Sequence, residues 1–167
     1  MLKLSEELIK NLEYIGKNFS ASDWKLSVAE SCTGGLLGAC ITSISGASAW
    51  FQGGIIAYDN AVKMNLLNVS EKILIEHGAV SLECVLAMAT GLCMRMQTNV
   101  GISISGIAGP SGGTEDKPVG TVYVGYCIQG ETFFTLLNLK GTREEIREQA
   151  VNRAIVGLIG LLDAYFN

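Results

Sequence analysis

Three short apolar runs that stop abruptly at small or polar residues constrain this chain most. Residues 25–30 (KLSVAE) run into Ser31-Cys32-Thr33-Gly34-Gly35, and residues 54–58 (GIIAY) run into Asp59-Asn60. Residues 100–107 run into Gly109-Pro110-Ser111-Gly112-Gly113. Apolar runs this short, bounded by turn residues, fit buried strands better than helices. Helical periodicity fills the intervals. Residues 5–18 place Leu8, Leu12 and Ile15 on one face behind a Ser5 cap, and the chain after Gly35 continues as an apolar helix to near Gly46. Asp59 or Asn60 caps a short helix carrying Lys63. Ser70 and Ser81 cap two more, the second aligning Leu82, Val85, Leu86, Ala89, Cys93 and Met96. Residues 119–128 and 132–139 form a hairpin turned at Gln129-Gly130, and Thr142 caps a long last helix reaching Tyr165. This order predicts a single domain over residues 1–167, an α/β fold built as a three-layer α/β/α sandwich with a mixed, mostly parallel central sheet.

Composition narrows the function. With 49% apolar and 17% charged residues, the chain has the makings of a well-formed core and not of a disordered segment. A net charge of −4 without a basic block argues against a nucleic-acid partner. The one histidine, His77, excludes a multi-histidine metal site, and its place ahead of Gly78 suits a structural role at a helix C-terminus. Five dispersed cysteines without a CxxC pair read as reduced, mostly buried thiols of a cytoplasmic protein. The longest apolar run, residues 154–162, is far short of the ~20 residues a membrane span needs, so no membrane partner is expected. So apolar a chain is compatible with a homo-oligomer.

In open α/β sheets ligands bind beyond the carboxyl ends of the strands, so the three exits belong together. The first, Glu30 to Gly35, offers free backbone N–H groups suited to a phosphate or an oxyanion, with the Ser31 hydroxyl beside them. The same residues also serve as a plain helix cap with glycines for close packing. Cys32 is a rival nucleophile, because a helix N-terminus lowers a thiol pKa, although its apolar neighbours favour a packing role. In the second exit Lys63 falls in the first turn of its helix, where the macrodipole opposes a cation and favours the neutral amine. Such a lysine is a candidate base for a serine hydroxyl; a solvated surface lysine is the plainer alternative. No S-x-x-K signature is present, since Gly34 stands three residues after Ser31 and Ala108 three after Ser105. The third exit contains neither GxGxxG nor GxxxxGK[ST], which excludes Rossmann and P-loop sites. Arg143 and Arg147 share a helix face at i and i+4, either as an anion clamp or as partners of Glu144, Glu145 and Glu148.

Four strings together resemble the carboxy-terminal domain of the CinA family: ESCTGG at 30–35, SAWFQGGIIAYDNAVK at 48–63, HGAVS at 77–81 and SGIAGPSGGTEDKPVGTVY at 105–123. The similarity runs from about residue 5 to residue 163, without the amino-terminal domain of larger members, as in the stand-alone nicotinamide mononucleotide deamidase type. It implies the three-layer fold and hydrolysis of the carboxamide of nicotinamide mononucleotide, a small-molecule nucleotide, with no metal or organic cofactor. By the same resemblance Ser31 is the nucleophile, Lys63 its general base, and Tyr58 polarises the base or binds substrate. Glu30, Ser105 and Arg143 or Arg147 complete the pocket, position 105 being often threonine in such sequences; the backbone amides around Thr33, Gly34 and Gly35 are expected to stabilise the oxyanion, and Gly106 and Gly109 to belong to the substrate site. A nucleotide-binding or regulatory module that uses the same loops without catalysis is the alternative.

Overall fold

A computed structural model describes residues 4–166, so residues 1–3 and 167 of the predicted domain lie outside the described residues. The chain folds in the order α1 (Glu6–Ser22), β1 (Leu26–Glu30), α2 (Leu36–Thr42), a 3-10 turn (Ala47–Ala49) and β2 (Phe51–Ile56). There follow α3 (Asn60–Leu67), α4 (Glu71–Glu76), α5 (Leu82–Met96), β3 (Val100–Gly106), β4 (Thr121–Ile128), β5 (Glu131–Asn138) and α6 (Arg143–Phe166). The sheet has the order β2-β1-β3-β4-β5. β1 pairs in parallel with β2 and β3, whereas β4 is antiparallel to both β3 and β5, so only β4 runs against the rest. Helices α1, α2 and α6 pack their apolar faces on one side of the sheet, and α3, α4 and α5 on the other. This is the predicted sandwich.

The caps form where the sequence places them. Ser5 Oγ accepts the Leu8 N–H at 3.2 Å, Asp59 Oδ1 accepts the Ala61 N–H at 2.7 Å, and Ser70 and Ser81 cap α4 and α5. Thr142 Oγ1 accepts the Glu145 N–H at 3.3 Å while the Glu145 carboxylate accepts the Thr142 N–H at 2.7 Å, a reciprocal capping box. Several boundaries differ from expectation, two of them with a local cause. β2 begins at Phe51 and ends at Ile56, not over residues 54–58: the Gly53-Gly54 pair lowers the strand propensity of its first half, and beyond Ile56 the Ala57 and Tyr58 carbonyls accept from Lys63 Nζ. α2 ends at Thr42, well before Gly46; the Thr42 and Ser43 hydroxyls donate back to the Gly38 and Ala39 carbonyls, which favours ending the helix.

α5 lies unusually close to the sheet. At Gly125 a Cβ would stand 2.5 Å from the Val85 carbonyl oxygen and 2.6 Å from Ser103 Oγ, and Ser103 Oγ itself donates to that carbonyl at 2.6 Å. No helix among the described residues is long and apolar enough to cross a membrane. Because the neighbours of Gly125 are backbone and a bonded hydroxyl, Gly125→Ala forces α5 outward. Its expected cost is about 2 kcal/mol, measured as a lower denaturation midpoint; an unchanged midpoint contradicts the close approach.

Candidate active site

The first two strand exits are joined by backbone. The Ser31 N–H donates to the Ile104 carbonyl of β3 at 2.9 Å, and the Ala57 N–H beyond β2 donates to the Glu30 carbonyl at 2.7 Å. The Glu30 side chain, only 1% exposed, turns toward α2. Its carboxylate accepts the N–H groups of Gly35 at 3.1 Å, Leu37 at 3.0 Å and Gly38 at 2.8 Å. α2 starts from Gly35 in a left-handed conformation with no side-chain cap of its own, so Glu30 satisfies its first-turn donors. Neither Ser31 nor Thr33 is therefore the cap, and the Ser31 hydroxyl is left for another partner.

That partner is Lys63. Its side chain is buried at 1% exposure, and Nζ lies 2.8 Å from the Ala57 carbonyl oxygen, 3.2 Å from that of Tyr58 and 3.2 Å from Ser31 Oγ. No carboxylate forms an ion pair with it among the described residues. Burial draws its pKa below the ordinary 10.5, against smaller opposing influences from Cys84, Asp59 and Cys32. The two carbonyls can only accept. A neutral amine donates both N–H groups to them and turns its lone pair to the Ser31 hydroxyl, which then donates.

The third exit closes the site. Ser105 is 1% exposed and its hydroxyl donates to the Ala79 carbonyl at 2.7 Å. Arg143, from the start of α6, donates to the Gly109 carbonyl at 2.8 Å and to the Tyr58 hydroxyl at 3.2 Å, bridging the second and third exits. The result is an open cavity of about 340 Å³. Ser31, Tyr58, Lys63, Ser105, Gly106, Gly109 and Arg143 line it, as the sequence places them together.

Five other predicted residues do not line it. Glu30 faces α2, and Arg147 donates to the Thr33 carbonyl at 2.8 Å, holding the turn from behind. The Gly34 N–H is taken by the Ser31 carbonyl at 3.1 Å and the Gly35 N–H by Glu30, so these amides are not free for an anion. Four lining residues, Ala108, Gly109, Ser111 and Gly112, have backbone N–H groups with no protein acceptor among the described residues. The lining also includes Asn60, Ala79 and Val80. Asn60 is foreshadowed in the sequence only as a cap, while Ala79 and Val80 arrive through the long-range Ser105 contact, which no local pattern signals. The Cys32 thiol is pushed up to about 11, mainly by burial, and stays protonated at neutral pH. His77 ends α4, with Nδ1 3.5 Å from Glu83 and Nε2 3.9 Å from Glu76, and is not part of the cavity lining.

Fold and site together define a three-layer α/β domain with a buried serine–lysine pair at converging strand exits. The family model for the CinA C-terminal domain matches residues 9–162, and the chain belongs to that family. It is 53% identical over 122 residues to a CinA-like protein of Dictyoglomus turgidum, covering 73% of this chain and 30% of that protein. The chain thus spans about a third of the length of the curated relatives it matches. Among solved structures, the competence/damage inducible protein CihA from Agrobacterium tumefaciens superposes with a TM-score of 0.92 at 34% identity, over 96% of this chain and 99% of that one. A CinA superfamily protein from Klebsiella pneumoniae gives 0.88 at 32% identity, over 98% and 99%.

Replacing the Glu30 carboxylate by an amide turns one acceptor into a donor facing helix N–H groups. Glu30→Gln is expected to lower stability by about 2 kcal/mol in chemical denaturation. A midpoint equal to that of the parent protein contradicts its capping role.

Proposed function

We propose that this domain is a serine–lysine amidohydrolase that acts on the carboxamide of nicotinamide mononucleotide, yielding nicotinate mononucleotide and ammonia in pyridine nucleotide recycling. The observation that carries the reaction class is the 3.2 Å approach of a buried amine, with no ion-pair partner among the described residues, to Ser31 Oγ on a cavity wall. Support for the substrate comes from the resemblance at residues 30–35, 48–63, 77–81 and 105–123.

Neutral Lys63 takes the Ser31 proton as Oγ attacks the carboxamide carbon and the C=O electrons move onto oxygen. The oxyanion is received by acceptor-free N–H groups of the Gly-rich wall at 108–112, in place of Gly34 and Gly35. As the C–N bond breaks, the lysine ammonium protonates the leaving nitrogen and ammonia departs, leaving an ester on Ser31. Lys63 then deprotonates a water that hydrolyses the ester, and Ser31 regains its proton. Ser105 has its hydrogen on the Ala79 carbonyl, so it presents only lone pairs to a ligand. It accepts from an amide N–H₂ and cannot donate to a carboxylate, a bias toward substrate over product. Arg143 uses two nitrogens on Gly109 and Tyr58 and keeps further donors and its charge for a phosphate.

Purified protein is expected to release ammonia from nicotinamide mononucleotide. Ser31→Ala and Lys63→Met should each lose at least about 100-fold in kcat with an unchanged circular-dichroism spectrum, while Cys32→Ala stays active. Nucleotide binding without ammonia release would make the domain a binding module. Because Lys63 must be neutral to accept a proton, the rate rises with pH through its lowered pKa and levels off below the ordinary 10.5. A limb at or above that value excludes Lys63 as the base. Arg143→Ala raises KM more than Arg147→Ala; equal effects would remove Arg143 as the phosphate contact.

A further inference from the structure

We infer that Cys93 of α5 and Cys127 of β4 are a latent disulfide pair, joined when an oxidant of the peroxide class reaches them. The inference is independent of the proposed activity. A helix packed on a sheet usually holds its Cα atoms too far from the strands for a disulfide, which needs a Cα separation below about 7 Å. Glycine removes that gap here. Gly101 is the direct cross-strand partner of Cys127. A Cβ on Gly101 would stand 3.0 Å from the Ala89 carbonyl oxygen of α5 and 2.7 Å from Cys93 Sγ. The Cys93 sulfur thus occupies the place of the side chain directly opposite Cys127, on the same sheet face. Directly opposed Cβ atoms lie about 5 Å apart, which sets the two sulfurs side by side. Cys93 Sγ is also 3.8 Å from the Cys127 carbonyl oxygen.

The chemistry favours this pair over the other thiols. Cys93 beside it and the Gly130 N–H draw the Cys127 thiol below its ordinary value against the opposing effect of burial, while Cys93 is raised. Cys32, Cys40 and Cys84 are each raised to about 11, chiefly by burial. Cys93 is half-buried and gives the pair an opening to solvent. One sulfur, as thiolate, attacks a peroxide oxygen; the O–O bond breaks, hydroxide leaves and a sulfenic acid forms. The second thiol attacks that sulfur, the S–S bond forms and the hydroxyl leaves as water. The two thiols give up two electrons and two protons, and one hydrogen peroxide becomes two waters. The link would tie α5 to the end of β4 beside Gly101, whereas the cavity lies past the other end of β3 at Gly106.

The intact chain is treated with graded hydrogen peroxide, blocked with iodoacetamide in denaturant and mapped by peptide mass spectrometry. The expected product contains a cross-linked Cys93–Cys127 peptide, two hydrogens lighter than its two thiol peptides together, that dithiothreitol cleaves. Cys32, Cys40 and Cys84 remain alkylated, and the oxidised protein has the higher Tm. Cys127→Ser, compared with Cys40→Ser as a folding control, abolishes the cross-link, whereas Cys40→Ser retains it. Cys93 and Cys127 staying alkylatable while other cysteines oxidise overturns the inference. So does either sulfur pairing with a third cysteine or a second chain, or both ending as sulfinic or sulfonic acids.

Discussion

Burying an ammonium without a counter-ion is among the most costly arrangements a protein interior can hold, and among the described residues Lys63 is buried with only two carbonyls and a hydroxyl at its nitrogen. The same burial that opposes the charged form lowers the pKa of the amine and so favours its neutral, proton-accepting form. The rest of the site is arranged around that nitrogen. The carbonyls of Ala57 and Tyr58 sit just past β2 and fix two of its directions, and Ser31 just past β1 occupies the third. The parallel register Glu30↔Ile56 holds those two exits side by side.

Glu30 links the fold to the site. Its carboxylate holds the first turn of α2 through three N–H groups, so no hydroxyl of the turn is needed as a cap. The consequence reaches the neighbouring residue. Ser31 Oγ, which in an ordinary strand-to-helix turn would serve the helix, meets Lys63 instead. Arg147 steadies the same turn through the Thr33 carbonyl, and Arg143, one helical turn earlier, braces Tyr58 against the Gly109 loop. One helix thereby supports all three exits.

Much of this was legible in the sequence because it is local. Ser5, Asp59, Ser70, Ser81 and Thr142 cap the helices that periodicity predicts, and Ser31, Lys63 and Ser105 follow strands that alternate with helices. The departures involve long-range packing. β2 contains Gly53 and Gly54, whose low strand propensity conceals its first half. Glu30, Thr33, Gly34, Gly35 and Arg147 stand in or beside the turn but serve its internal bonding, which no spacing rule separates from ligand binding. The acceptor-free amides of the Gly-rich wall, and Ala79 and Val80 opposite, are brought to the cavity by tertiary contacts alone.

The central claim is that folding lowers the pKa of Lys63 and sets its amine against Ser31. Heteronuclear NMR titration of lysine side chains, with the Lys63 signal assigned by its loss in Lys63→Met, tests this most directly. The account predicts that Lys63 titrates below the ordinary 10.5 and that its shift changes in Ser31→Ala. A Lys63 titration at or above 10.5, indifferent to Ser31, would contradict it.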